Sequence, residues 1–398
     1  MHLPSNGNHS TYVDTTAGVR ELALVIEHAE RVALDTEADS LHHYYEKVCL
    51  LQLSIGENHY IVDPLSPADL GALMDVLARR PLIIHGPDYD LRLLRRHYGF
   101  RPCEIFDTMT AARLLGYKRF GLAALVEQHF GVRLPKKGQK ADWSSRPLSD
   151  ALLAYAVADT KYLEPLAGVF EAELVRTNRL AWHRQICRKI IEQSFVETPP
   201  SDPERLWRVK GWYVLKSPRA LAILRELWGW RESEAQRADR PPFRVMSNEC
   251  LIKLAAWAEH NTGFDTAPKL PVTCKARRLE TLKIAIRHAR NLPENRLPSA
   301  RHETKGGRVA VDDALVEELK CIRDQAAADA GLEPSLVAPA GAIAAIARHR
   351  PATASELMKI ADLQDWQISL IGKAYLKAVA SRNDGIPNGS DGQSARNA

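Results

Sequence analysis

Apolar positions in the first half of the chain fall into short runs that alternate with longer amphipathic stretches. Four runs rich in β-branched and aliphatic residues predict strands, because each is bounded by turn-forming residues. These runs are RVALDTEA at 31–38, VCLLQLSIG at 48–56, HYIVDPL at 59–65 and PLIIHG at 81–86. Helical periodicity predicts helices near 17–29, 67–79, 87–98, 108–115, 121–130 and 149–174. The alternation indicates an α/β domain with a mixed sheet flanked by helices.

The pattern changes after residue 195, where strand-like runs give way to amphipathic helices such as SPRALAILRELWGWRESEAQ. Two polar segments rich in helix breakers interrupt the chain and predict linkers. We therefore expect the following organisation: a disordered lead at 1–14, an α/β domain at 15–195, a linker at 196–204, a helical domain at 205–290, a linker at 291–309, a second, related helical bundle at 310–380 and a disordered tail at 381–398.

Composition adds an asymmetry of charge to this organisation. The 398 residues carry a formal net charge of +5, yet residues 205–305 alone hold 21 Lys and Arg against 10 Asp and Glu. Such an excess is typical of a surface that meets an anionic partner, and also of a well-solvated helical surface. Both interpretations remain open at this point.

Several classes of protein are disfavoured by what the sequence lacks. No run of about 18 apolar residues predicts a membrane span, and the N-terminus does not resemble a secretory signal, so we expect a cytoplasmic protein with no membrane partner. The six cysteines form no C-x-x-C pair, and HHYYEKVC at 42–49 offers no fourth ligand for a transition metal. No phosphate-binding glycine motif occurs, which predicts that no nucleotide cofactor is used.

The first predicted strand carries acidic residues at every second position. Asp35, Glu37 and Asp39 fall on one face of an ideal strand, while Leu34 and Thr36 fall on the other. Neighbouring carboxylates in a partly buried site repel one another unless they share a cation, so the spacing D-x-E suits a hard divalent metal. The alternative is that the strand ends at Asp35 and the acids form a solvated loop.

Two further acidic positions lie on predicted helices. In LIIHGPDYDLRLLRRHYG, Asp90 is one turn before Leu94 and so lies beside the apolar stripe, whereas Asp88 is expected to face solvent. In LSDALLAYAVADTKYLEPL, Tyr155 and Asp159 share one helix face among apolar residues. A carboxylate in such surroundings needs a partner, which a cation held by the other acids would provide.

Together these clusters, D-x-E, H-x-x-x-x-D and Y-x-x-x-D, resemble the three exonuclease motifs of the tyrosine-containing (DEDDy) branch of the DnaQ-like superfamily. ALDTEADS, FDTMTAARLLG, DWSSRPL and YAVADTKYL are more closely similar to the ribonuclease D family over roughly residues 15–195. The stretch from RLWRVKGWYV onward resembles the helicase-and-RNase-D C-terminal (HRDC) domain, with 310–380 as a more divergent copy.

The resemblance implies an RNase H-like exonuclease domain followed by two all-α HRDC-like bundles. It assigns Asp35, Glu37, Asp90 and Asp159 as ligands of two Mg²⁺ or Mn²⁺ ions and Tyr155 as the residue that orients the attacking water, the same five that face and spacing select. The implied activity is 3′–5′ hydrolysis of RNA, such as tRNA precursors, with release of 5′-nucleoside monophosphates, by a protein that we expect to be a monomer. Asp39 lies outside the motif and is expected to be a surface or loop carboxylate.

A basic loop precedes the third motif and is a candidate for binding the RNA backbone. Its residues Lys136, Lys137, Lys140 and Arg146 would contact phosphates, and an ordinary exposed basic loop is the alternative. Trp143 would either stack on a base or anchor the loop to the core.

Two other functions use the same features. A 3′–5′ DNA exonuclease of the Werner type carries the same motifs, and few atoms distinguish RNA from DNA. A nucleic-acid-binding scaffold with an inactive site is the third possibility, although all five catalytic positions are present.

Overall fold

The computed structural model describes residues 10–135, 138–196, 202–299 and 312–383. One six-stranded sheet forms the first part of the chain, in the spatial order β1-β4-β3-β2-β5-β6. Its strands are β1 Ser10–Val13, β2 Val32–Ala38, β3 Val48–Ile55, β4 Asn58–Val62, β5 Pro81–Ile84 and β6 Glu104–Asp107. Strand β3 is antiparallel to both neighbours and the other pairs are parallel, so the sheet is mixed, as the sequence predicts.

Helices cover both faces of this sheet. They are α1 Thr16–Glu27, α2 Gly71–Ala78, α3 Asp88–Tyr98, α4 Thr108–Leu114, α5 Leu122–Phe130, α6 Asp150–Lys161, α7 Leu163–Arg176 and α8 Leu180–Phe195. Helices α1, α2, α3 and α8 share one apolar cluster with one face of the sheet, while α6 packs on β3 and β4 from the other side. The helix predicted at 149–174 is two helices, α6 and α7, that meet at Tyr162.

The sheet contains two four-residue strands that the sequence pattern does not predict. Strand β1 lies inside the segment expected to be disordered, and β6 follows α3. The expectation for residues 10–13 is therefore wrong, because β1 pairs in parallel with β4 and Val13 is buried. Strands this short carry little periodicity of their own, and their pairing depends on partners distant in sequence.

The remainder of the described chain is helical, as predicted. The middle region, 202–299, contains α9 Pro203–Leu206, α10 Pro218–Arg237, α11 Pro242–Val245, α12 Asn248–His260 and α13 Arg277–Arg290, with 3₁₀ turns at Trp212–Val214 and Glu294–Arg296. The C-terminal bundle, 312–383, contains α14 Asp313–Ala330, α15 Pro334–Val337, α16 Ala340–His349, α17 Ala354–Ala361, α18 Asp365–Gln367, a π-helical turn at Ile368–Gly372 and α19 Lys373–Asn383. In the described part of the chain, no helix combines the length and apolar character needed to cross a membrane.

The C-terminal bundle shares its core with the α/β domain. Leu114 of α4 and Phe170 of α7 belong to the same buried cluster as Leu319 of α14 and Tyr375 of α19. Arg179 joins the two parts by donating to the carbonyl oxygens of Leu114 and Ala330. The bundle is therefore packed as an extension of the α/β domain.

The middle region meets the α/β domain through the turn between β2 and β3. His43 Nδ1 lies 2.6 Å from Asp239 Oδ2, and the backbone N–H of Tyr44 donates to the other oxygen of Asp239 at 3.0 Å. Tyr44 also packs on the apolar cluster of the middle region. This turn is thus a docking point, which agrees with its prediction as a connection between strands.

Candidate active site

Strand β2 delivers two carboxylates to one face of the sheet. Asp35 is the register partner of Gln52 on β3, and Leu34 is the partner of Leu53 in the apolar cluster on the opposite face. Alternation along the strand then places Glu37 beside Asp35. The apolar half of the strand anchors it in the sheet, while its acids line a cavity of about 860 Å³.

Asp39 does not share this face, although ideal alternation predicts that it should. The register of β2 against β3 shifts between Glu37 and Ala38, as expected of a β-bulge. Asp39 is fully buried, and its carboxylate lies 2.8 Å from Lys47 Nζ and accepts from the Lys47 backbone N–H. Of the two alternatives expected for Asp39, the surface carboxylate is wrong and the loop carboxylate is right: Asp39 closes the turn after β2.

Helix α3 contributes Asp90, and its two first-turn acids separate as predicted. Asp90 is buried, whereas the Asp88 side chain is 72% exposed and pairs with Arg92. The Asp90 carboxylate accepts a hydrogen bond from the Thr36 hydroxyl, which fixes it at the edge of the cavity. The sequence gives no sign of this role for Thr36, because the contact depends on how α3 docks beside β2.

Helix α6 supplies Tyr155 and Asp159 from above the sheet. The Ser149 hydroxyl accepts from the Leu152 N–H and caps the helix. The Tyr155 hydroxyl is hydrogen-bonded to the Asp159 carboxylate, and the Tyr155 ring lies 5.9 Å from the Trp143 ring. All five side chains predicted for the site therefore line one cavity.

The carboxylates strongly perturb one another. Burial, and then the charges of Asp90, Asp159 and Glu37, hold the pKa of Asp35 well above its usual range. Burial and the neighbouring Asp159 and Asp90 raise the pKa of Glu37 to about 8. Burial raises the pKa values of Asp90 and Asp159 to about 6 each. Carboxylates in this arrangement are relieved of their mutual repulsion either by protonation or by a shared cation.

Three of these acids have the geometry of a cation site. Oxygen atoms of Asp35, Glu37 and Asp159 all lie within 4.8 Å of one another. Hard carboxylate oxygens are the ligands preferred by Mg²⁺ and Mn²⁺. Asp90 lines the same cavity but lies outside this group of three, with its oxygen directed to Thr36. The residues present fit one or more divalent cations.

The far wall of the cavity suits an anionic ligand. It is formed by Arg119 and by the first turn of α5, from Gly121 to Ala124. The positive end of the helix dipole and an exposed guanidinium both favour phosphate. The sequence does not single out Arg119, because nothing in its neighbourhood shows that α5 faces the acids.

Only part of the predicted nucleic-acid-binding loop lies beside the cavity, where it could contact a phosphate. Lys136 and Lys137 lie outside the described residues, and Lys140 is exposed beside the cavity residues Gln139 and Ala141. Trp143 is only 1% exposed, so base stacking is excluded and its alternative role as a core anchor stands.

The Arg146 side chain makes structural contacts within the α/β domain. Its guanidinium contacts both oxygens of Asp63 at 2.6 and 2.7 Å and donates to the carbonyl oxygens of Cys49 and Trp143. The phosphate-binding role predicted for Arg146 is therefore corrected: its ion pair fastens the loop to the sheet. Asp63, distant in sequence, gives no signal of this pairing.

Gly138 brings this loop against the catalytic candidate Tyr155. A Cβ atom built on Gly138 would lie 2.2 Å from the Tyr155 ring, whereas one on Gly168 of α7 meets nothing within 4 Å. We expect Gly138→Ala to displace the ring and lower kcat by up to about 100-fold, because misplacement by about 1 Å can cost that much. Steady-state kinetics would measure this, with Gly168→Ala as the control that retains wild-type kcat. Equal kcat values for both variants would contradict the close packing.

Sequence comparisons identify two known domains in this chain. Residues 10–175 match the 3′–5′ exonuclease domain family, and residues 220–262 and 312–379 match the HRDC domain. Ribonuclease D of Gluconacetobacter diazotrophicus is 31% identical over 330 residues, which cover 80% of this chain and 82% of that protein. The exosome complex exonuclease RRP6 of Saccharomyces cerevisiae is 28% identical over 79% of this chain, but the match spans only 46% of the yeast protein.

Solved structures share the fold. The Escherichia coli RNase D structure, described as an exoribonuclease involved in structured RNA processing, superposes with a TM-score of 0.69 at 23% identity, covering 94% of this chain and 99% of that one. The catalytic core of RRP6 from Trypanosoma brucei gives a TM-score of 0.61 at 26% identity over 70% of this chain and 79% of that one. With the acidic cavity, the exonuclease and HRDC matches and the extended similarity to ribonuclease D, the chain belongs to the ribonuclease D family of 3′–5′ exoribonucleases.

Proposed function

We propose that this protein removes nucleotides from the 3′ ends of structured RNA, such as tRNA precursors, by hydrolysis assisted by two divalent cations. The observation that carries the proposal is the convergence of Asp35, Glu37 and Asp159 within 4.8 Å in an open cavity. Structured RNA is what the E. coli relative is described as processing, and an extended basic region at 205–305 supports a large anionic substrate here.

In this proposal Asp35, Glu37, Asp90 and Asp159 hold the cations. When bound, the cations would neutralise the scissile phosphate and lower the pKa of the attacking water. Asp35 is central, because its pKa is raised by all three of the other carboxylates and it therefore has the most to gain from a shared cation. Asp90 would join after its oxygen turns from Thr36, or through its second oxygen.

Tyr155 positions the water without acting as a base. Burial and the charge of Asp159 raise the pKa of the phenol above its already high usual value, so it remains protonated at neutral pH. A phenol that is hydrogen-bonded to a ligand carboxylate can fix the direction of attack on phosphorus. The packing of Trp143 and Gly138 on the ring restricts it to that position.

The remaining parts would serve the substrate. The wall of Arg119 and the α5 N-terminus would bind the phosphodiester backbone on its way to the acids, assisted by Lys140. We further propose that the protein is a cytoplasmic monomer with a catalytic domain at 10–195, which includes β1, and two HRDC-like units near 205–290 and 310–380. The HRDC matches at 220–262 and 312–379 support the last two assignments.

A direct assay tests the proposal. Purified protein is incubated with 3′-extended tRNA, single-stranded RNA and DNA of matched sequence, in Mg²⁺, Mn²⁺ or chelator, and product length is followed on sequencing gels. We expect stepwise shortening of RNA from its 3′ end, release of 5′-monophosphates and complete loss of activity in chelator. Faster degradation of DNA would instead indicate an exonuclease of the Werner type, and inertness on all substrates would indicate a binding scaffold.

A further inference from the structure

A buried glutamine adjoins the acidic cluster on the same face of the sheet. Gln52 of β3 is the register partner of Asp35, and partners in an antiparallel pair project to the same side. Gln52 is fully buried, yet neither its Oε1 nor its Nε2 has a hydrogen-bond partner among the described residues. The roles proposed for the cation ligands and for Tyr155 do not involve this side chain.

An unpaired amide at this depth is costly to the fold. The group offers two donors and an acceptor oxygen with two lone pairs, and each buried polar group left unpaired costs about 1–3 kcal/mol. Leu50 and Leu53, its close neighbours on β3, are fully buried without any such cost. A side chain that served packing alone at position 52 would be apolar, so the amide points to a role outside packing.

The strand register places Asp35 as the polar residue directly opposite Gln52. On β4 its neighbour is the apolar Ile61, and along β3 on the same face Ser54 is already bonded to His59 Nδ1 at 2.8 Å and Thr160 Oγ1 at 2.7 Å. Directly opposite is Asp35, with Cβ atoms typically about 5 Å apart in such a pair. An amide two bonds beyond Cβ can then reach a carboxylate one bond beyond Cβ.

We infer that Gln52 is a positioning residue for the cation site: when cations are held there, its otherwise unpaired amide would donate to the Asp35 carboxylate and hold it in the orientation that ligates them. This inference rests on the proposed function. Carboxylate ligands of metal sites are themselves hydrogen-bonded, and loss of such outer partners typically lowers metal affinity or activity by about 10–100-fold. Gln52 does not contact the substrate in this role, because its side chain is fully buried.

Apolar variants of similar volume separate this role from packing. In Gln52→Met and Gln52→Leu, we expect the Tm in chelator to equal or exceed that of the wild type, because the unpaired amide is gone. Mn²⁺ affinity measured by titration calorimetry should fall about tenfold or more, and kcat should fall similarly while KM for RNA stays within about twofold. Ser54→Ala is the control on the same strand and face. It should lose stability, since its hydroxyl bonds are made, while keeping wild-type Mn²⁺ affinity.

The outcomes distinguish this inference from the function on which it rests. Wild-type Mn²⁺ affinity and kcat in both apolar variants would overturn the role of Gln52 alone, as would a fall in Tm in chelator large enough to account for the lost affinity. Absence of Mn²⁺ binding by the wild-type protein would overturn the proposed cation site itself.

Discussion

Replacing Asp35 by asparagine should abolish RNA cleavage while making the metal-free protein more stable. A neutral amide at this position could not supply the anionic oxygens that would hold the cations, and we expect kcat to fall by at least about 10³-fold, the upper range for loss of one preorganised electrostatic contact. The gain in stability follows from the removal of a half-buried carboxylate that three other acids repel. Each kcal/mol gained should raise the Tm by roughly 2–4 °C.

Two measurements test this expectation together. Single-turnover cleavage of 3′-extended tRNA gives the loss of activity, and thermal unfolding in chelator at pH 8 gives the change in Tm. Asp88→Asn is the matched control, because Asp88 is an exposed acid on the same helix as Asp90 and forms an ion pair with Arg92 one turn away. Residual cleavage by Asp35→Asn above about 1% of wild type, or a lower Tm in chelator, would contradict the assignment.

Divalent cations should bind more weakly as the pH falls from 8 to 6. Glu37 has a pKa raised to about 8, so below that pH a cation must displace its proton, at a cost of about tenfold in affinity per pH unit for one proton. Asp90 and Asp159, with pKa values of about 6, add to the loss near the lower limit. Among the described residues, the titratable groups that interact with Glu37 are Asp35, Asp90, Asp159 and Tyr155, and none of these four supplies a positive charge.

Calorimetry with Mn²⁺ at pH 6, 7 and 8, in buffers of different ionisation enthalpy, measures both the affinity and the protons released. Glu37→Gln should bind more weakly at pH 8 but with a flatter dependence on pH. Stability in chelator should show the opposite trend: acids whose pKa is raised by folding stabilise the folded state at low pH and lose that contribution as the pH rises through 6 and then 8. Affinity that is independent of pH would refute this account.

The five candidate site residues could be identified from the sequence because each lies on an element with strong periodicity. Alternation along β2 selects Asp35 and Glu37, and helical spacing separates Asp90 from Asp88 and pairs Tyr155 with Asp159. These rules need only local geometry. The resemblance to ribonuclease D then depends on the order of the same motifs, so the two lines of reasoning agree.

The errors arise where local geometry is overridden by distant partners. Asp39 leaves the face of Asp35 because of a bulge, which becomes visible only when β2 is paired with β3. The sequence alone leaves Arg146 available to bind phosphate, whereas the folded structure pairs it with Asp63. In the sequence Gln52 is one polar residue in an apolar strand, and only the strand register shows that it lies opposite Asp35. In each case the deciding contact joins different elements of the fold, and the periodicity of one element does not reveal it.

The buried cluster common to α4, α7, α14 and α19 changes what can be cut or exchanged in this protein. The family matches divide the chain into modules, but the apolar surface that carries Leu114 and Phe170 would be exposed to water if the chain ended before residue 312. A catalytic fragment that ended at that boundary would expose an apolar surface to solvent and tend to aggregate. Substitutions on the shared face of the last bundle should therefore disturb the nuclease domain directly, whereas the middle region meets that domain at the turn between β2 and β3.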